Sequence, residues 1–361
     1  MRAAVSRAAG TLEIEDVWVD EPRGREVLVR TAAVGVCHSD RHFFQGTITG
    51  PHPTIHGHEA SGVVVALGDQ VVGLSVGDNV VVSLSVSCGS CTFCWTGRPF
   101  LCSARESTRR APAESPRLRD GRGTTLEQFV DVSAFAELML VHERAVVAIP
   151  SDVPMDSAAM LGCAVVTGLG AVFNTAGVRP GDRVAVVGCG GVGLNVVQGA
   201  RIAGASQIIA IDLMPDNLEV ARRLGATHVV EAGAQDPLGE VLAASGGGVD
   251  HSFEAVGRAD TCVLAFRMLR PDGTATVVGL LPSGTRIPVP AEDLLRGKRI
   301  QGSVMGSTRL PVDIGRYLDL LASGRLILDG SSCPRIGLDD LGQVLSDGPP
   351  ASATRTLLDF S

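Results

Sequence analysis

The chain has 361 residues, of which 45% are hydrophobic, 19% charged and only 4% aromatic, with 44 glycines. That length exceeds what one core comfortably supports and implies two domains, and the composition is that of a tightly packed α/β enzyme. A formal net charge of −8 disfavours nucleic acid as the main partner, since phosphate binding needs a concentrated basic face, and no apolar stretch reads as long enough to span a bilayer.

Taken in chain order, the first stretch reads as strands and turns. Residues 26–30 and 62–66 alternate or run β-branched, and Gly77-Asp78 marks a turn, so an antiparallel-rich domain is expected. Cys88, Cys91 and Cys94 then form a C-x-x-C-x-x-C run, with Cys102 a little further on. Four thiolates at this spacing can close around one tetrahedral metal ion, and zinc is expected because an all-thiolate tetrahedron is its usual structural site. Disulfides and an iron–sulfur cluster are the alternatives. Nine cysteines, an odd number, with no secretory segment in front of them suggest reduced thiols in a reducing, cytoplasmic setting, and the ferredoxin runs use other gaps. The Arg-rich stretch 105–122 is mixed with Glu, Asp, Pro and Gly and reads as a solvated loop.

From about Val165 the rhythm changes to strand, glycine turn, helix, strand. Residues 183–187 read as a strand, Gly191 to Ala203 as a helix and 207–211 as the next strand, a βαβ unit that implies a parallel sheet. Apolar strands follow at 249–253 and 274–278, separated by helical segments such as 260–269. Gly188-Cys189-Gly190-Gly191-Val192-Gly193 is a G-x-G-x-x-G run placed between strand and helix, as dinucleotide binding requires. The first glycine permits the tight turn, the second lets backbone approach a pyrophosphate, and the third lets helix pack on strand. Asp212 ends the next strand, where its carboxylate can accept hydrogen bonds from ribose hydroxyls and repel a 2′-phosphate, so NAD is favoured over NADP.

A second metal constellation is dispersed. Cys37, His58 and Cys163 offer two thiolates and one imidazole, a three-ligand set with the fourth position open, as catalytic zinc needs. Taken singly, each reads as an ordinary residue, and a lone buried cysteine is usually a small hydrophobe.

Together these motifs resemble the zinc-dependent medium-chain alcohol dehydrogenase family over nearly the whole chain. The order matches: a Cys-His-Ser-Asp motif from Cys37, Gly57-His58-Glu59, the four-Cys lobe, Gly162-Cys163, the glycine fingerprint and a C-terminal Arg355-Thr-Leu-Leu-Asp-Phe360. The resemblance implies an α/β protein in which a GroES-like, β-rich catalytic domain (residues 1–164 and 304–361, with a structural zinc lobe at about 86–104) is interrupted by a doubly wound parallel-sheet Rossmann domain (165–303) that binds NAD.

By that resemblance Cys37, His58 and Cys163 are the catalytic zinc ligands and Glu59 the acid behind the metal. Asp40 is the partner of the non-ligating nitrogen of His58, fixing its tautomer. Ser39 takes the place of the proton-relay hydroxyl, and His42 that of the histidine that passes the proton to solvent. His38 and Arg355 fall where the family holds the cofactor pyrophosphate, and Thr167 beside the nicotinamide. Asn217 stands where many relatives have a lysine. Segment 103–128 departs from the better-known relatives at the entrance to the substrate cleft, and Leu84 and Phe129 fall near pocket positions, suggesting an apolar lining. His52, His56, His142, His228 and His251 read as solvated or satisfied, with His56 pointing away from the metal.

The expected activity is NAD-dependent interconversion of a small to medium, apolar primary alcohol and its aldehyde. The alternatives are a thiol-dependent formaldehyde dehydrogenase, in which Arg105 or Arg109 would grip the thiol's carboxylates, a specialised biosynthetic reductase, and, last, a non-catalytic NAD- and zinc-binding protein. A homodimer or homotetramer is implied, with residues 274–281 a candidate edge strand.

Overall fold

The computed structural model describes residues 1–348 and 355–360. The chain divides into two compact units, one of residues 1–163, 309–314 and the segment from Leu328, the other of residues 164–308 and 315–327. The return to the first unit, expected from Val304, thus begins at Arg309, and residues 315–327 stay with the second.

The first unit holds two sheets. One of five strands has the spatial order Leu118–Asp120, Thr11–Val19, Arg2–Ala8, Thr54–Ile55, Glu127–Gln128. The other runs Val146–Ala148, Asn79–Ser83, Glu59–Leu67, Glu26–Val36, Thr356–Asp359, Arg335–Ile336, with Leu138–His142 also paired to Glu26–Val36. Val27, Val29, Ile55, Val80, Val82, Phe135 and Met139 belong to one buried cluster, and their removal from water is the main drive for the unit to close.

Register within the second of these sheets places the chemistry. Glu26–Val36 lies antiparallel to Glu59–Leu67, with Val34 opposite Ala60, and antiparallel to Thr356–Asp359, with Val36 opposite Thr356. Antiparallel neighbours bring the end of one strand beside the starts of the others. Cys37 follows the first strand, His58 precedes the second and Arg355 precedes the third, so residues far apart in sequence meet at one rim.

The second unit is built on a six-stranded, all-parallel sheet in the order His228–Glu231, Gln207–Asp212, Arg183–Val187, Val249–Glu254, Leu269–Val277, Arg299–Gly302. Alternate residues of its central strands feed opposite faces. Val184, Val186, Ile208 and Ala210 pack with Val196 and Val197 on one side, while Ala185, Val187, Ile209 and Ile211 pack with Phe266 and Met268 on the other. That is why these strands read as unbroken apolar runs.

Two expectations are corrected here. The strand Leu269–Val277 is interior, paired on both sides, and the sheet edges are His228–Glu231 and Arg299–Gly302; an apolar run in a parallel sheet signals burial on both faces, which the sequence pattern cannot separate from an edge. The helical run Met155–Ala176 is long and apolar enough to cross a membrane by length and composition, and 78% of its most apolar window is buried inside the protein, as befits a core helix.

Candidate active site and metal centres

The Sγ atoms of Cys37 and Cys163 and a ring nitrogen of His58 lie within 4.8 Å of one another, all three residues being buried. Cys37 is the N-cap of the short helix His38–Phe44, and Cys163 sits on a π-helical turn, Leu161–Val165, a geometry that often re-aims a side chain at a functional site. Cys189, Cys262 and Cys333 have no such partners among the described residues.

Asp40 is fully buried and joins the set together. Its Oδ1 lies 3.1 Å from His58 Nδ1 and accepts the Gly57 N–H at 3.1 Å, while Oδ2 accepts the Cys37 N–H at 3.0 Å. The Nδ1 contact leaves Nε2 for a metal and raises its donor strength. Two thiolates and one such imidazole suit zinc, with room for a fourth ligand. Ser39 is half-buried, its Oγ 3.8 Å from Cys37 Sγ. The His42 ring stands 5.7 Å from that of His38, and burial together with Arg41 holds the His42 imidazole below its ordinary pKa.

Glu59 is also buried, far from the surface ion pair that an isolated Glu suggests. Its Oε2 accepts from Arg355 Nη2 at 2.5 Å. Gly35 makes room for it: a Cβ there would stand 2.1 Å from Glu59 Oε1. Arg355, expected at the cofactor pyrophosphate, is buried; its guanidinium is committed to Glu59 and the Val36 carbonyl, and its charge acts on the Cys37 and Cys163 thiolates. A cation here offsets the negative charge that two thiolates and a carboxylate concentrate behind the metal.

The second centre is the lobe of Cys88, Cys91, Cys94 and Cys102, whose sulfurs lie within 4.8 Å of one another. Their separations, 3.5 Å for Cys91–Cys94 and 3.9 Å for both Cys88–Cys94 and Cys91–Cys102, exclude disulfides. They approach the edge of about 3.8 Å that a tetrahedron of Zn–S bonds has. Backbone N–H groups of Cys88, Ser90 and Cys91 point at these sulfurs from 3.2–3.4 Å and favour thiolates.

In the second unit, Gly188 turns at φ +90°, where only glycine is unstrained. A Cβ on Gly193 would stand 1.8 Å from the Gly188 carbonyl oxygen, so helix Gly191–Ala203 can start this close to the strand only with glycine there. With Gly190 as N-cap, the free N–H groups of the first turn, including those of Gly191 and Val192, form an anion site fit for a pyrophosphate. Asp212 Oδ2 accepts the Cys189 N–H at 2.6 Å, and Oδ1 accepts the Met214 N–H at 2.8 Å and Asn217 Nδ2 at 3.1 Å. Lone pairs remain for ribose hydroxyls. Asn217, which stands where many relatives have a lysine, thus braces the carboxylate. Thr167 is buried with its Oγ1 3.6 Å from Met305 Sδ.

The 105–122 stretch is not a solvated loop throughout. Arg110 and Arg117 are only 7% and 6% exposed and converge on Glu26, with Arg110 also on Asp20. Arg105 and Arg109 both bind Asp131, at 2.5 Å each. Sequence reasoning missed these pairs, because each acid lies far along the chain from its arginines. His56, read from the sequence as solvated or satisfied, is instead buried with neither ring nitrogen partnered among the described residues, and burial pushes its pKa down to about 4. The His56 ring packs edge-on against Phe129 at 4.8 Å, and Phe129 also meets His58 at 5.7 Å and Phe43 at 4.9 Å. Leu84 is half-buried against the core.

Comparisons with known proteins agree with this arrangement. The family model for the alcohol dehydrogenase GroES-like domain matches residues 23–151, and that for zinc-binding dehydrogenase matches residues 191–323. S-(hydroxymethyl)glutathione dehydrogenase of Saccharomyces cerevisiae is 32% identical over 357 residues, covering 96% of this chain and 92% of its own. The crystal structure of an alcohol dehydrogenase zinc-binding domain protein from Burkholderia ambifaria superposes with a TM-score of 0.93 at 34% identity, covering 100% of this chain and 98% of that one. Benzyl alcohol dehydrogenase from Acinetobacter calcoaceticus gives a TM-score of 0.90 at 32% identity, covering 100% of this chain and 99% of that one.

Proposed function

The chain belongs to the zinc-dependent medium-chain alcohol dehydrogenase family, and on that premise we propose that it interconverts an apolar primary alcohol and its aldehyde, with NAD as the hydride carrier. The observation that carries the reading is the contrast between the two clusters: four half-buried donors in the cysteine lobe, and three buried donors at the sheet rim. A closed set is structural, whereas a three-donor set leaves a coordination position for substrate. When bound, zinc polarises the substrate oxygen as a Lewis acid and the nicotinamide exchanges the hydride.

The chain's own residues do the rest. Cys37, Cys163 and His58 Nε2 hold the metal, and Asp40 holds His58. Ser39 Oγ receives the substrate hydroxyl proton during oxidation and returns it during reduction. His42, kept largely neutral by burial and Arg41, accepts that proton towards solvent. His38 and the fingerprint glycines serve the cofactor phosphates, Asp212 the ribose and Thr167 the nicotinamide. The Phe43 and Phe129 rings support an apolar, aromatic-tolerant substrate.

The name S-(hydroxymethyl)glutathione dehydrogenase, carried by relatives, supports a second reading, oxidation of a hydroxymethyl thiol adduct. The arginines suited to a thiol's carboxylates, Arg105 and Arg109, are already paired with Asp131, which favours the first. NADH formation from straight-chain and aromatic alcohols, and from formaldehyde with and without glutathione, decides between them. Thiol-independent turnover of alcohols supports the proposal, and turnover only of formaldehyde with thiol overturns it.

Association into a homodimer or homotetramer through the edge strand Arg299–Gly302 is supported by the exposed Leu294, Leu295 and Val304 nearby, and light scattering tests it. The nine cysteines, all free, suit a cytoplasmic setting.

A further inference from the structure

The backbone just after Phe129 is left-handed at residues that do not favour it. Val130 has φ 47°, Asp131 φ 66° and Ser133 φ 63°. A β-branched valine is especially poor there, because its Cβ crowds the following carbonyl. Such a segment persists only where its surroundings over-determine it, and here they do. Arg105 Nε and Arg109 Nε donate to opposite oxygens of the buried Asp131 carboxylate at 2.5 Å each, and Arg105 Nη2 donates to the Val130 carbonyl at 2.6 Å. Ser133 Oγ accepts the Phe129 N–H at 3.0 Å and donates to the Ile55 carbonyl at 2.8 Å.

The clamped segment carries Phe129, whose ring meets the imidazole of the zinc ligand His58 and also lines a cavity of about 510 Å³ that Phe43, Pro51, Arg105, Arg109 and Gln128 share. We propose that Arg105 and Arg109, acting through Asp131, are positioning residues that fix the Phe129 ring and thereby set which alcohols fit beside the metal. The inference rests on the alcohol dehydrogenase reading above. Without the clamp the Val130–Asp131 peptide relaxes toward ordinary backbone angles and carries the adjoining ring with it. The guanidinium forks matter because their charge-assisted bonds reach both oxygens of one carboxylate and a strained carbonyl at once.

The test uses full-length protein with both zincs and NAD. Asp131→Gly removes the clamp while glycine tolerates the left-handed angle at 131, so the strain left to relax is that of Val130, and positioning is separated from folding. The ratio of kcat/KM for benzyl alcohol to that for ethanol is expected to change by about tenfold or more, carried mainly by KM. Arg109→Met is expected to shift the ratio in the same direction, and to add nothing in the Asp131→Gly background, since Arg109 reaches the segment through that carboxylate. Amide hydrogen exchange across residues 129–133 is expected to quicken in both single variants at an unchanged zinc count. An unchanged ratio in Asp131→Gly, or additive effects in the double variant, overturns the inference. If the unsubstituted protein oxidises no alcohol, the proposed function falls by itself, and exchange then decides the clamp: unchanged exchange overturns it and faster exchange supports it.

Discussion

Replacing Asp40 by Asn tests the catalytic metal site more sharply than removing a ligand. The carboxylate receives three buried donors: Cys37 N–H at 3.0 Å, Gly57 N–H at 3.1 Å and His58 Nδ1 at 3.1 Å. Alanine would orphan all three, at about 1–3 kcal/mol each, a sum comparable with the whole stability of a domain, so its loss of function would say little about the metal. Asparagine can keep its oxygen towards His58 and Gly57, but then sets its NH2 donors against the Cys37 N–H. One lost charge-assisted bond costs about 1.5–3 kcal/mol. The imidazole also loses its anionic partner, a change that typically weakens metal binding by about 10–100-fold, an energy of similar size at about 1.4 kcal/mol per tenfold. Competition for zinc with a coloured chelator reads both sites. Asp40→Asn is expected to weaken one zinc of the two by about 10–100-fold and to leave the four-cysteine lobe as it was. Loss of neither zinc, or of both together, would refute the reasoning.

In the cofactor unit, Gly193→Ala would place a Cβ 1.8 Å from the Gly188 carbonyl. Calorimetry should show NAD binding weakened by about tenfold or more, because the first-turn N–H groups no longer face the pyrophosphate, with zinc content unchanged. Cys94→Ser should remove the lobe zinc alone and lower the melting temperature, read by metal analysis and calorimetry, since a structural site contributes folding energy. Ser39→Ala should retain both zincs and lower kcat by about 100-fold as the relay loses its first hydroxyl. The fourth test concerns pH. Burial pushes the Glu26 carboxyl up, but Arg110 and Arg117 outweigh it, so its folded pKa lies below the ordinary 4.5. The unfolded chain then takes up the proton first, and this contribution to stability is complete above that value and drains as pH falls through the lower folded one. In urea melts Glu26→Gln should cost about 3 kcal/mol at pH 7, with the gap closing in acid; a constant gap would contradict the sign.

Much of this molecule could be read before its structure. Residues 183–187 and Gly191 to Ala203 stand as a strand and a helix with those bounds, because unbroken apolar runs and punctuating glycines are local signals. The four-cysteine lobe announced itself by spacing, since its donors share one loop. The buried set did not: Cys37, His58 and Cys163 lie on three elements that only strand register and a π turn bring together, so family resemblance had to supply them. Long-range pairing hid the rest. Nothing near Arg110 or Arg117 in sequence points to Glu26, nothing near Arg105 points to Asp131, and the burial of His56 against Phe129 depends on a loop far along the chain. The interior strand Leu269–Val277 was offered as an edge because apolar composition reports burial but not neighbours.

The central claim is that a primary alcohol gives its hydride to NAD at the site of Cys37, His58 and Cys163. Incubating the zinc-loaded protein and NAD with benzyl alcohol deuterated at its α-carbon, without added thiol, tests this most directly. Deuterium at C4 of the reduced nicotinamide, abolished in Cys163→Ala although that variant keeps its lobe zinc, is the expected result. No transfer from any primary alcohol, or transfer undiminished in Cys163→Ala, would contradict the claim.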